Sequence, residues 1–198
     1  TMWDMYQIKA AESASTGAAA PGDRLANRAD MGLMTGKEGR HGPTPEMLRT
    51  YYKLVFWMSG DLNTTVLGPE INMGQNDIAL LEDFLSYNAS SESPRGFWAI
   101  GQGFAEANMQ SSSDVHTIFL TNYLATSLRD ASYYALTGNS PAQWNELIPQ
   151  SVITTGGEVY GLVNNCLYQM DVLNVNTGVS GATTASYYES LGANGPYV

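Results

Sequence analysis

The chain carries one cysteine, two histidines and nine basic residues against nineteen acidic ones, within 198 residues. Lone Cys166 cannot close an internal disulfide, so no disulfide framework holds the fold, and cysteine usage leaves the redox compartment open. The formal net charge of -10 argues against nucleic acid and anionic membrane as partners, since both need a cationic patch to release counterions. His41 and His116 lie far apart with no partner at metal-ligand spacing, which argues against a zinc site. No apolar run approaches the roughly 18 residues that span a bilayer. A charged and apolar leader is also missing at Thr1, and Gly195-Pro196-Tyr197-Val198 reads as entry into a strand. The expectation is a piece of a larger protein.

Hydrophobic residues make up 43% of the chain, enough for one globular domain, while charged residues reach only 14%, well under the usual quarter. A domain of this length buries roughly 70% of the surface its unfolded chain exposes. Ser, Thr, Asn and Gly fill the surface instead of Lys. An acidic, lysine-poor surface of this kind is more typical of secreted bacterial proteins than of cytosolic enzymes, so a secreted or cell-surface setting is expected. The expected organisation is a single domain over residues 1–198.

The central stretch is Tyr52-Lys53-Leu54-Val55-Phe56-Trp57-Met58, ending abruptly in Ser59-Gly60-Asp61. An apolar run bounded by turn residues suits a strand of a parallel sheet covered on both faces. Phe97-Trp98-Ala99-Ile100 is a second such strand, running into Gly101-Gln102-Gly103. Val55, Trp57, Trp98 and Ile100 are therefore expected in the core. In parallel sheets ligands gather at the carboxyl ends of the strands, which makes Ser59, Gly60, Asp61, Gly101, Gln102 and Gly103 candidate binding residues.

Along the chain, Trp3 to Ile8 reads as a short strand with Trp3, Met5 or Tyr6 inward. Residues 10–42 form a long glycine-punctuated loop, of which Gly39-Arg40-His41-Gly42 is the most distinctive part. Thr44-Pro45-Glu46 starts a helix, with Thr as cap, Pro at the first position and Glu on the dipole, and its Met47, Leu48 and Tyr51 are expected to face the sheet. A second helix runs from about Asn76 to Tyr87, with Ile78, Leu81 and Leu85 at helical spacing. A third starts near Asp114 and carries Val115, Phe119, Leu120 and Tyr123. Beyond it the pattern turns to short strands, at 131–136, 159–163, 171–175 and 182–189. The strand, helix, strand order of the first half implies a parallel pair. The expected fold is α/β, a three-layer flavodoxin-like parallel sheet with a β-rich C-terminal extension.

Chemistry is thinner than fold. The turn after Phe97 to Ile100 is where a hydrolase or amidotransferase displays its nucleophile, but it holds Gln102, which is no nucleophile. Cys166 has neither a glycine elbow nor a nearby cation and reads as a small buried hydrophobe. Gly101-x-Gly103 lacks the third glycine of a dinucleotide fingerprint. Asp61, Asn63, Asn76 and Asp77 offer oxygens that calcium accepts, without the spacing of a known calcium loop, so no cofactor is assigned and turn and cap roles are favoured. Asp61, with Asp77 or Glu106 as helper, is the candidate set for a carboxylate-dependent hydrolase, which needs two carboxylates facing each other across a cleft. Trp144, in a polar segment, is the candidate stacking surface for a glycan.

VFWMSGD (55–61), QNDIALLEDFL (75–85), FWAIGQGFAEA (97–107) and ASYYALTG (131–138) together resemble the class I glutamine amidotransferase-like, flavodoxin-type domains embedded in large secreted bacterial proteins. The resemblance covers residues 51–134 well and the remainder loosely. It aligns the family's long helix with Asn76 to Tyr87 and its catalytic elbow with Ile100 to Gly103. The elbow cysteine is replaced here by Gln102-Gly103, and no matching His-Glu pair follows. The resemblance therefore implies a non-catalytic structural or interaction domain in an extracellular assembly, with other domains of its parent or extracellular proteins as partners.

Overall fold

The computed structural model describes residues 3–6, 8, 24–26, 42–60, 62, 66–68, 76–87, 94–101, 103–109, 114–130, 151–154, 159–161, 171–176, 178 and 186–188. These fall in two compact units, 1–119 and 120–198. Helices and strands alternate in the first around a small parallel sheet, an α/β arrangement.

Helix α1 (Pro45–Tyr51) begins as its sequence dictates. Thr44 accepts a hydrogen bond from the Met47 amide at 3.2 Å, and Pro45 occupies the first turn, where a missing N–H costs nothing. Only Leu48 of its apolar residues is buried. Met47 and Tyr51, expected against the sheet, are exposed, because the helix ends after seven residues and packs on α2 (Asp77–Ser86) rather than lying along the strands. Helix α2 is capped by Asn76, which accepts from the Ala79 amide at 2.8 Å. Ile78, Leu80, Leu81 and Phe84 form its buried stripe.

Strands β1 (Leu54–Gly60) and β2 (Gly96–Gly101) pair in parallel, with Phe56 opposite Trp98 and Met58 opposite Ile100. Burial alternates along both, which corrects the expectation of strands covered on both faces. Trp57 and Ser59 are buried and Val55 is half-buried, whereas Leu54, Phe56 and Met58 are exposed. Trp98 and Ile100, expected in the core, are exposed as well. The cause is that successive side chains of a strand point to opposite faces, and Phe104 and Phe119 pack on the face that carries Trp57 and Phe97. Phe97 lies 6.4 Å from Trp57, 6.4 Å from Phe104 on α3 (Phe104–Met109), and 5.9 Å edge-on from Phe119 after α4 (Asp114–Ile118).

Near the start of β1 the Tyr52 hydroxyl donates to the Asp4 carboxylate, which ties the N-terminal segment to the sheet. That carboxylate raises the Tyr52 pKa, with burial and its negative charge adding to the effect. Residues 3–6 belong to neither a helix nor a strand, in place of the expected short strand. Trp3 and Met5, expected inward, are exposed, and Tyr6 is half-buried.

In the second unit β3 (Thr126–Asp130) pairs antiparallel with β6 (Val172–Val175), and β4 (Ser151–Thr154) pairs antiparallel with β5 (Val159–Gly161) and β7 (Ser186–Tyr188). This is β-rich, as the C-terminal pattern implies; the expected strand at 131–136 lies outside the described residues. A π-helical stretch, Phe119–Tyr123, replaces the last turns of the expected third helix and leaves Tyr123 exposed. Asn176 clasps its end: the side chain donates to the Thr121 carbonyl at 3.3 Å, and the backbone N–H to that of Ala125 at 2.7 Å. Ala125 has φ +52°, a left-handed conformation that non-glycine residues seldom adopt.

Candidate functional site

The carboxyl edge of the parallel pair is built from a bulge and two glycines. The register slips between Met58 and Gly60, so Ser59 has no Cα partner on β2. Bulges of this kind re-aim a side chain, and Ser59 Oγ turns to donate to the Ile100 carbonyl at 3.3 Å. Gly60 has φ +61°, which an L side chain adopts only with strain, and this reverses the chain so that the Leu62 N–H donates to the Ser59 carbonyl at 3.1 Å. Gly101 makes room for Ser59: a Cβ there would lie 1.8 Å from Ser59 Oγ, which would have to rotate away from the Ile100 carbonyl to admit it. Gly103 is buried, and its carbonyl accepts from the Ala107 N–H at 2.9 Å as α3 begins. Ser59, Gly60 and Gly101 are thus brought together as the sequence predicts. Asp61, Gln102, Trp144 and Cys166 lie outside the described residues, as does His41.

Asp77 is fully buried and committed to the backbone. Its Oδ1 accepts from the Ala26 N–H and its Oδ2 from the Gly68 N–H, each at 2.8 Å, so one carboxylate fastens two remote segments to the first turn of α2. Burial pushes its pKa up to about 6; the amide hydrogen bonds and the positive charge of Arg24 oppose that shift without cancelling it. Glu106 sits half-buried in the first turn of α3 and has interactions of its own.

Two residues not singled out as partners complete this polar interior. Asn108, fully buried on α3, accepts from the Leu67 N–H at 3.3 Å and donates to the Phe104 carbonyl at 2.7 Å. His116, fully buried on α4, places Nε2 3.3 Å from the Leu67 carbonyl. Side chains of two helices therefore bracket the peptide groups of Leu67, and Asp77 holds the next amide. Segment 66–68 is buried without belonging to a helix or strand, and its backbone polar groups must find side-chain partners. The sequence signal was an Asn among the apolar residues of Phe104-Ala105-Glu106-Ala107-Asn108-Met109, where Glu106 is the one other polar side chain. Its spacing of four from Phe104 permits the bond back to that carbonyl.

Gly42, half-buried, borders the same interior. A Cβ on it would lie 1.6 Å from the Leu25 carbonyl oxygen, so the chain before α1 passes directly against the buried segment 24–26.

Among the described residues no three His, Cys, Asp or Glu side chains gather to hold a metal ion, and no helix is long and apolar enough to cross a membrane. No family model, curated protein or solved structure matches the chain.

Proposed function

We propose that the chain is a non-catalytic structural or interaction domain of a secreted or cell-surface bacterial protein, with other domains of its parent or extracellular proteins as partners. Its architecture in this reading is the three-layer, flavodoxin-like arrangement of an amidotransferase-like domain without the family's nucleophile. The observation that carries the proposal is the use made of Asp77, Asn108 and His116. Among the described residues these are acidic, amide and imidazole groups of the kind a site uses, and each is buried and bonded to backbone, Asp77 through both oxygens. A side chain in that position supports a loop, because withdrawing it to serve a substrate would leave a buried amide unpaired. The Ser59 hydroxyl is likewise turned to the Ile100 carbonyl. The acidic, lysine-poor composition supports the extracellular setting.

The test is turnover of glutamine and of generic esters by the wild type, by Gln102→Ala and by Asp61→Asn. The expected result is no turnover above the uncatalysed rate in any of them. Wild-type turnover that disappears in either variant would overturn the proposal, since loss of a nucleophile or catalytic carboxylate lowers rates by orders of magnitude.

A further inference from the structure

One face of the parallel pair carries an uninterrupted apolar band. Leu54, Phe56 and Met58 of β1 and Trp98 and Ile100 of β2 share it, because they alternate with the inward residues and the register sets Phe56 beside Trp98 and Met58 beside Ile100. Their exposures are 46, 54, 76, 58 and 45%, high for residues of these types in a parallel sheet. Phe56 and Trp98 hold each other, ring centroids 5.3 Å apart at 32°, so the band is ordered before anything meets it. Leu54 leans over Gly96, where a Cβ would lie 2.9 Å from its Cδ1. No charged side chain occupies any of these positions.

We propose that this face pairs with the same face of a second copy of the chain, in a two-fold homodimer that stacks sheet on sheet. The match in area favours this occupant. At side-chain areas of roughly 200 Å² the five residues offer roughly 550 Å², and a two-fold pair buries at most roughly 1,100 Å², in the range of weak, reversible interfaces just under the size of stable ones. Self-pairing is also chemically closed. Both strand rows are apolar, so a two-fold axis sets each against an apolar row, with sheets about 10 Å apart and no buried unpaired charge. The net charge of -10 on each copy opposes approach. The dimer is therefore of modest affinity and strengthens as salt screens the repulsion. The proposal deepens the interaction-domain reading by naming a partner and rests on it to that extent; a monomeric protein would remove this partner and leave the turnover assays untouched.

Sedimentation of the intact chain from about 1 to about 300 μM, an interval that brackets micromolar association, reads the equilibrium directly. The expected result is a reversible monomer–dimer transition that tightens when salt is raised from about 0.02 to about 0.3 M. Phe56→Lys and Met58→Lys should each raise the dissociation constant at least tenfold with little change in unfolding midpoint, since both side chains are already exposed in one copy. Hydrogen peroxide supplies an independent readout by transferring one oxygen to the Met58 sulfur and leaving water. Oxidation of Met58 should be fast in dilute protein and slow in concentrated protein. A chain that stays monomeric throughout, a dimer unaffected by both lysine variants, or a Met58 protected even at dilution would each overturn the proposal. The last would show that another part of the same chain covers the face.

Discussion

The Ser59 hydroxyl occupies the space that a side chain at Gly101 would need: a Cβ there would sit 1.8 Å from Ser59 Oγ and 3.1 Å from Ser59 Cβ. The bulge in β1 and the glycine ending β2 are therefore one feature, in which the strands close together because one residue has been re-aimed and the other has no side chain.

Gly101→Ala should destabilise the chain by about 1–3 kcal/mol, the usual cost of forcing a methyl into filled space. Ser59→Ala alone should cost about 1 kcal/mol through the bond to Ile100, but should be neutral or favourable in the Gly101→Ala background. Additive effects in urea unfolding would show that the two residues do not share this space. Gly60→Ala is a control of a different kind. Nothing lies within 4 Å of its added Cβ, so its cost of about 1–2 kcal/mol comes from the left-handed backbone alone, and Ser59→Ala should not relieve it.

Asp77 makes stability depend on pH in an unusual direction. Its pKa rises from an ordinary 3.8 to about 6 on burial, so between these values the folded chain binds more protons than the unfolded one. Its contribution is therefore fully present below about pH 4 and lost as pH rises through about 6, a difference on the order of 3 kcal/mol. Asp77→Asn lacks this titration. Wild-type stability minus that of the variant should grow as pH falls from 7 to about 4. A difference that stays flat would mean that the carboxylate titrates in its ordinary range, and one that shrinks on acidification that folding lowers its pKa instead of raising it.

The legible parts of the fold were those written in local chemistry. Thr44-Pro45 and Asn76-Asp77 announce helix starts, and the two apolar runs announce a parallel pair. The sidedness of that pair was hidden because residues of both faces are apolar, so Trp98 reads the same as Trp57 although only Trp57 is buried. In the candidate site, Ser59, Gly60 and Gly101 were legible from their place at the carboxyl ends of the strands. Asn108 and the backbone role of Asp77 were not, since what they satisfy are peptide groups remote in sequence, at Leu67, Gly68 and Ala26.

Asn108→Leu should cost about 1–3 kcal/mol, because it strands the Leu67 N–H in the interior. The loss should be local before it is global. Hydrogen exchange at Leu67 and Gly68 should accelerate more than at Leu81 in α2, which belongs to the packed core. Uniform acceleration at all three would show that Asn108 serves the core as a whole rather than segment 66–68.

Arg95, just before β2, joins the ends of two helices. Its Nη2 donates to the Arg49 carbonyl in the last turn of α1 at 2.6 Å, and its Nη1 to the Tyr87 carbonyl at the end of α2 at 3.1 Å. The guanidinium lies 4.6 Å from the Tyr87 ring centroid. Both carbonyls stand at the negative ends of helix dipoles, where a cation is favoured, and the planar fork reaches the two acceptors at once. Arg49 reinforces the junction through Asp83 at 3.0 Å and through the face of the same tyrosine at 4.9 Å. Removing Arg95 by Arg95→Ala should cost about 2–4 kcal/mol, since hydrogen bonds from charged groups contribute about 1.5–3 kcal/mol each and this site is partly open to solvent. Arg95→Lys keeps the charge but loses the fork, so its stability should fall between Ala and wild type in urea unfolding. A lysine variant as stable as the wild type would show that a point charge suffices and that the double clasp is not what joins the helices.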